Sequence, residues 1–422
     1  MTHPITPENV TRAELKNGIV VLVKENHTNA SISLRGRLRA GAMYEPEANA
    51  GLASFTASAL QRGTKKYTFQ KLNELYDNAG MSFGVSAGTE NATFGGKSLA
   101  EDFESLLGIA EQVLRYPTFP EKEIEKLRGQ LVTGLREAED DTRYRAWTKF
   151  RELSFPKGHP FHHDADGTEA SVKKLTRAKL AEFHARYYRP EGAIFAIVGD
   201  IDTQKALDLV TKHFGGWTGK KGLSFDIPDA PLHNKPMRED IAMAGKIQSD
   251  VIMGYPGIKR NDPEFYPLRT ADLIFGQLGL SGRLGETVRD KMGLCYYVYS
   301  TLDAGIGAGP WIIGTGVNPR NVDLAIEAIG DEVRRLRAEG VTSDELAHAQ
   351  DYLTGSLALR LETSDGVANT LADMEFYSLG MDYILRYESL YRNVTQEQIL
   401  NAVEKYARLE DAVIVTAGPE KE

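Results

Sequence analysis

The sequence predicts an α+β protein made of two tandem, homologous domains. Three observations carry this expectation: the chain's 422 residues, an order of elements that recurs at a fixed offset, and adjacent strands set between long helices. A chain of this length exceeds one ordinary core. Thr176-Arg-Ala-Lys-Leu leads through Tyr187 to Glu191-Gly-Ala-Ile-Phe-Ala-Ile-Val-Gly199, and Thr395-Gln-Glu-Gln-Ile leads through Tyr406 to Glu410-Asp-Ala-Val-Ile-Val-Thr-Ala-Gly418, an offset of 219 throughout. Phe119-Pro-Glu-Lys-Glu-Ile aligns with Val341-Thr-Ser-Asp-Glu-Leu at an offset of 222. Two matches at nearly one offset indicate a duplicated unit of roughly 200 residues. Paired strands beside long helices favour α+β over a doubly wound parallel sheet.

The elements follow in order. Residues 18–25 and 31–40 read as strands, the second alternating Ile32, Leu34 and Leu38 against Ser33, Arg35, Arg37 and Arg39. Gly51–Arg62 reads as a helix closed by Gly63, and Leu72–Asn78 as a short helix. Met81–Ser86 and Asn91–Lys97 read as strands, Phe103–Arg115 and Glu121–Ala138 as helices. A helix ends over Leu180–Tyr187, and Ala193–Val198 is a buried strand. Lys220–Asp240, with three prolines and little periodicity, reads as a linker. The expected division is 1–222, a linker at 223–240, and 241–422. In the second half Val322, Ile326, Ile329, Val333 and Leu336 form one apolar helix face, and Thr342 with Glu345 makes a capping box.

Composition narrows the function. With 41% hydrophobic and 26% charged residues and no low-complexity tract, the chain is a globular one rather than a disordered one. No apolar run approaches the ~20 residues of a membrane span, and the polar N-terminus lacks a secretory signal's apolar region. A single cysteine, Cys295, excludes an intrachain disulfide and a cysteine-rich metal site. A cytoplasmic protein is expected, with no membrane partner. Residues 1–222 hold 31 basic and 28 acidic side chains; residues 223–422 hold 19 and 31. Nucleic-acid binding needs a basic footprint and is not expected. The acidic half serves solubility or, alternatively, draws a basic peptide or partner.

The stretch Gly282–Ser300, GRLGETVRDKMGLCYYVYS, is the most informative. Leu284, Val288 and Met292 mark one face of a helix that Gly293 ends. Leu294–Tyr299 then reads as a strand. This places Arg289 in the last helical turn and Tyr296 at the start of the returning strand. Read alone, Arg289 complements a helix dipole and Tyr296 packs at a strand end.

The chain resembles the pitrilysin/insulinase zinc metallopeptidases, the inverzincins, which include the mitochondrial processing peptidase. The resemblance rests on Gly51-Leu-Ala-Ser-Phe-Thr-Ala-Ser-Ala-Leu-Gln-Arg-Gly-Thr64, which matches the family's active-site helix and its closing Gly-Thr. Phe155-Pro-Lys-Gly-His-Pro-Phe161, Gly167-Thr-Glu, Leu175-Thr, Tyr187-Tyr-Arg-Pro190 and Val198-Gly-Asp200 match later landmarks, and Arg289 with Tyr296 fits an Arg followed seven residues later by a Tyr. The resemblance implies mixed, mostly antiparallel sheets covered by helices, as in the processing peptidase. The family's helix carries H-x-x-E-H: two His bind zinc from one face and the Glu activates water, with a second Glu downstream as third ligand. Here those positions hold Ser54, Ala57 and Ser58, and the downstream one falls at about Gly134. No metal or other cofactor is expected in this chain. Residues 1–222 are then a peptidase-like domain with a degenerate zinc site, and 241–422 one with the substrate-anchoring pair. By resemblance, Arg289 and Tyr296 are the catalytic groups this chain supplies to a heterodimeric peptidase. A zinc-binding paralogous subunit with H-x-x-E-H is the expected partner, and unfolded peptides entering a chamber between two clam-like halves are the expected substrates. Ser82–Ala87 resembles the family's peptide-pairing edge. The alternatives are a scaffold that kept the fold without catalysis and a stand-alone peptide-binding module.

Other candidates read as structure. His159, His162 and His163 with Asp164 and Asp166 lie in a loop-like stretch that the family holds without metal, and Asp164-x-Asp166-Gly lacks the rest of a calcium loop. Gly276, Gly279, Gly282 and Gly285 do not form a dinucleotide motif and indicate close packing. Cys295 reads as a buried structural thiol. Small residues at Ala53, Ser54, Ala57 and Ser58 indicate close helix packing.

Overall fold

A computed structural model describes residues 5–219, 223, 226–230 and 233–420. Residues 222, 224, 225, 231 and 232, at or inside the predicted 223–240 linker, lie outside the described residues. In chain order the first elements are β1 Thr11–Glu14, β2 Val20–Glu25, β3 Ser31–Leu38, α1 Leu52–Ala59, α2 Phe69–Ala79, β4 Ser82–Ala87, β5 Ala92–Leu99, α3 Phe103–Arg115, α4 Glu121–Glu139, α5 Thr142–Ser154, α6 Glu169–Val172, α7 Arg177–Tyr187, β6 Ile194–Gly199 and α8 Thr203–Phe214. Then follow β7 Met237–Ala242, β8 Ser249–Pro256, α9 Phe265–Asp272, two π-helical segments at Leu273–Gln277 and Gly285–Lys291, β9 Cys295–Ala304, β10 Ala308–Val317, α10 Val322–Glu339, α11 Ser343–Arg360, α12 Ser364–Phe376, α13 Tyr383–Arg392, α14 Gln396–Tyr406 and β11 Val413–Gly418. Strand β7 takes in the last residues of the stretch that reads as linker.

The duplication is written into the topology. The first sheet runs β1-β2-β6-β3-β5-β4 and the second β7-β11-β8-β10-β9. Without β1 the two orders are the same: first strand, last, second, fourth, third. In each, only the first-to-last pairing is parallel, β2 with β6 and β7 with β11. The fold is thus α+β with two mixed, mostly antiparallel sheets. By this correspondence β4 and β9 are equivalent edge strands.

The polypeptide also forms two compact units that do not follow the sequence halves. One comprises Met1–Gly134, Asp164–Phe225 and Leu357–Arg386; the other Leu135–His163, Asp226–Ser356 and Tyr387–Glu422. Each sheet is covered on one side by a helix from the other half of the chain. In the first unit α12 lies on β3 and β6, burying Val367, Ala368, Leu371 and Ala372. Its polar side is tied down by Arg12–Glu375 at 2.7 Å, Arg35–Asp365 at 2.5 Å and Arg37–Asp373 at 2.6 Å. In the second unit α5 lies on β8 and β11, and Phe150 packs among Ile252, Ile312, Val413 and Val415. Thr142 and Tyr297 both donate to the Asp250 carboxylate, fixing the start of α5 to this sheet.

The predicted periodicities are met where burial decides them. On β3, Ile32, Leu34 and Leu38 are buried while Arg35 and Arg37 take the other face, toward α12. On α10, Val322, Ile329, Val333 and Leu336 are buried. The Thr342 and Glu345 capping box forms, with Thr342 N–H donating to Glu345 at 2.8 Å and Glu345 N–H to the Thr342 hydroxyl at 3.2 Å.

Candidate functional site

The small-residue helix α1 is built with care and carries no chemistry. Gly51 opens it at φ +92°, a conformation that favours glycine. The buried Glu45 carboxylate accepts from the N–H groups of Gly51 at 2.9 Å and Ala53 at 2.7 Å, satisfying donors the first turn leaves open. Ala57 is fully buried, and the Ser54 hydroxyl donates to Asp166 at 2.5 Å. Gly134, on α4, is exposed, with nothing within 4 Å of where a Cβ would stand. A methyl group cannot bind a metal, and an engaged neutral hydroxyl is a poor ligand for it. Residues 54, 57, 58 and 134 do not fit a zinc ion. Among the described residues one group of three potential ligands converges, Glu25, His27 and Asp202; all are exposed and none lies on α1 or α4.

The second candidate segment is a π-helix rather than the expected α-helix. Met292 N–H donates to Thr287 O at 3.0 Å, and Leu294 N–H to Val288 O at 3.0 Å. The wider turn explains a departure from the predicted face: Leu284 and Val288 are fully buried, but Met292 rotates outward and is 41% exposed. Gly293 at φ +62° then turns the chain into β9. The turn brings Arg289 and Tyr296 together, with the guanidinium carbon 5.4 Å from the ring centroid. Both are exposed, Tyr296 at 81%, and among the described residues neither side chain hydrogen-bonds another group.

Their support is rigid. Arg283, buried at the start of this helix, makes a two-pronged pair with Glu345 at 2.6 and 2.7 Å and donates to Gly340 O at 2.8 Å. Burial pushes the Glu345 carboxyl up, but Arg283 and the Thr342 N–H outweigh it and hold it at about 2. Thr287, one turn before the tip, donates to the buried Glu332 at 3.0 Å. Beneath β9, Asp272 is fully buried and accepts from Ser300 Oγ at 2.7 Å, Trp311 Nε1 at 2.9 Å and Leu302 N–H at 3.2 Å. Burial raises its pKa despite Arg269. Sequence reading finds Glu345 as the capping-box partner of Thr342 and misses its pairing with Arg283, 62 residues away, which has no local signal.

The remaining candidates resolve as structure. His159 Nδ1 accepts from Phe161 N–H at 3.1 Å and Nε2 faces Pro228 O at 2.8 Å, which fixes a neutral tautomer. Burial lowers its pKa. His162 Nδ1 faces Phe155 O at 2.7 Å. Cβ atoms at Gly276 and Gly285 would stand 2.4 Å from Ser300 N and 1.9 Å from Gly279 O, so these glycines allow backbones to touch. Cys295 is half-buried; burial pushes its thiol up, away from a nucleophile's range.

Comparison with known proteins gives this geometry its context. A family model described as insulinase, peptidase family M16, matches residues 20–152, and a model described as peptidase M16 inactive domain matches residues 174–353. The chain belongs to peptidase family M16. Curated relatives include an uncharacterized zinc protease of Rickettsia bellii, 24% identical over 356 residues and covering 84% of each chain. Another from Bacillus subtilis is 24% identical over 361 residues, covering 84% of this chain and 85% of the relative. Among solved structures, a peptidase M16 inactive domain from Pseudomonas fluorescens superposes with a TM-score of 0.91 at 25% identity, covering 98% of this chain and 99% of that one. The periplasmic protease PqqL from Escherichia coli shares the fold at 17% identity and a TM-score of 0.78, covering 98% of this chain and 48% of that one. The family-model match over residues 20–152 takes in α1, which carries Ser54, Ala57 and Ser58. No described helix is long and apolar enough to cross a membrane.

Proposed function

We propose that this chain is the non-zinc subunit of a two-chain M16 peptidase that degrades or processes unfolded peptides. The observation that carries the reading is an asymmetry. The α1 positions are reduced to Ser54, Ala57 and Ser58, while Arg289 and Tyr296 stand exposed, adjacent and uncommitted on a rigid support. The metal and the hydrolytic water belong to a partner with H-x-x-E-H. Arg289 donates to carbonyl oxygens of the bound peptide near the scissile bond. Tyr296 donates its O–H to the oxygen on which negative charge develops, a preorganised electrostatic role. A partner is also supported by PqqL: this chain matches that protein's first half with a TM-score of 0.76 at 17% identity and spans 48% of the whole, so that protein carries about one further chain length beside the matching half.

We keep the sequence-derived domains, 1–222 and 241–422 joined by 223–240, as the proposed evolutionary units, and the cytoplasm as the proposed compartment. The test is to mix the pure chain with an H-x-x-E-H paralogue from the same genome and follow cleavage of a quenched fluorescent peptide. Activity that appears on mixing and is lost with Arg289→Ala or Tyr296→Phe is the expected result. Activity that survives both substitutions favours the second reading, a scaffold subunit.

A further inference from the structure

Strand β2 carries a charge where its apolar run ends. Val20–Val23 is buried, and Lys24 continues the run inward, with 8% of the residue exposed. Strand alternation puts Lys24 on the face of Val20 and Leu22, in register with Val198 of the buried strand β6. A lysine that only covers apolar surface with its stem keeps its head in water. Lys24 lacks that exposure, and lysines this buried are ordinarily paired. Among the described residues it has neither a hydrogen bond nor an ion pair. Burial lowers its pKa, and no neighbouring charge opposes the shift.

Lys24 lines a cleft of about 590 Å³ that lies wholly within the first compact unit. The cleft exists because β1 starts at Thr11, opposite Val23, and leaves Lys24 without a β1 residue in register. Before β1 the chain turns away: Asn9 N–H donates to Thr6 O at 3.1 Å and Thr6 N–H to Asn9 Oδ1 at 2.8 Å, between the buried anchors Ile5 and Val10. The start of α8 supplies a further wall. The two carboxylates in the lining are committed. Glu25 accepts from Thr203 N–H at 2.7 Å, in place of the helix-capping residue Asp202, whose side chain makes no cap, and faces His27 Nε2 at 3.4 Å. Glu8 accepts from Thr6, which holds its carboxyl below the usual range. The uncommitted groups are donors: the Lys24 ammonium and the hydroxyls of Thr11 and Thr203, none of which bonds another group among the described residues.

We propose that this cleft binds a monocarboxylate ligand, with the Lys24 ammonium as its counter-ion and the Thr11 and Thr203 hydroxyls as further donors. A buried charge is costly unless it is paired, so a single unpaired cation calls for a single negative charge. A carboxylate accepts several hydrogen bonds at once, and those to an ionised group are the strong ones. A phosphate dianion would bring a second negative charge beside Glu8 and Glu25, which repel it. The cleft is larger than a carboxylate fills, so the ligand carries a body as well. Two sources offer that group: the C-terminus of a short peptide and a small organic acid. The inference goes beyond the reading of Arg289 and Tyr296 and does not depend on it.

The experiment titrates the intact chain by calorimetry with an N-acetylated dialanine peptide, its C-terminal amide, propionate and inorganic phosphate. The peptide acid is expected to bind about tenfold tighter than its amide. Binding of the peptide acid without binding of propionate assigns the peptide terminus, and equal binding of the two acids assigns the small acid. Lys24→Met keeps the stem and removes the charge. It should abolish the advantage of acid over amide and leave the urea midpoint unchanged or higher, because an unpaired buried charge costs stability. Glu8→Gln removes a like charge from the lining and should tighten the acid about twofold, an outcome that misfolding cannot imitate. Equal binding of acid and amide overturns the proposal, as does tighter binding of phosphate than of either acid. An acid-over-amide difference that survives Lys24→Met, or no binding of any probe, overturns it equally, while the Arg289 and Tyr296 test remains separate.

Discussion

The helical stretches between β3 and β4 and between β8 and β9 correspond in the two halves of the chain, and they differ in the side chains they present. Before β4, the helix α1 is capped, buried and complete, and its functional positions hold a methyl group and two short hydroxyls, one of them bonded to Asp166. Before β9, a π-helix carries Arg289 beside Tyr296 at the start of the strand, and neither side chain hydrogen-bonds another group among the described residues. One region offers no side chains for metal chemistry; the other holds an exposed Arg and Tyr above a buried ion pair. Arg289 and Tyr296 are exposed and adjacent above the buried Arg283–Glu345 pair, which is what the proposed substrate-anchoring role rests on.

The largest effect should come from the β9 side. Arg289→Ala or Tyr296→Phe should lower kcat of the mixed complex ~100- to 1,000-fold while the complex still elutes as one species in gel filtration. Next, Arg283→Met removes the anchor beneath them and should destabilise the fold by about 3 kcal/mol, measured by urea unfolding, because it strands part of a buried pair. The same pair predicts a pH dependence. Glu345 is held at about 2, below its unfolded value, so its contribution is fully present above about pH 4.5 and is lost as pH falls toward 2. A chain with Glu345→Gln should show a shallower loss of stability over that window. The smallest effect belongs to the α1 side: Ser54→Ala should cost about 1 kcal/mol or less in unfolding and leave peptidase activity of the mixture unchanged. A large activity loss there would erase the contrast between the two regions.

Much of this was legible in the sequence. Periodicity located β3, α3 and α10, since each buries one regular face. The repeat at an offset of 219 anticipates equivalent sheets, and the equal strand orders bear that out. The positions of Ser54, Ala57 and Ser58 on one helix, and the meeting of Arg289 with Tyr296, also follow from local spacing. What was not legible is long-range. A helix's apolar face does not say whose sheet it covers, so the placing of α5 and α12 on sheets of the opposite chain half had no local signal. The π-helix at 285–291 reads as α because Leu284 and Val288 fit both periods, and the exposure of Met292 separates them. The Arg283–Glu345 pair depends on tertiary pairing, which residue spacing alone does not encode.

The proposed function makes this chain half of an active site. Metal analysis of the purified chain by mass spectrometry, run beside a peptidase assay of the chain alone and mixed with an H-x-x-E-H paralogue, tests it most directly. The account predicts no stoichiometric zinc and no cleavage by the chain alone, with activity on mixing that requires Arg289 and Tyr296. One tightly bound zinc per isolated chain, with peptide cleavage in the absence of any partner, would contradict it.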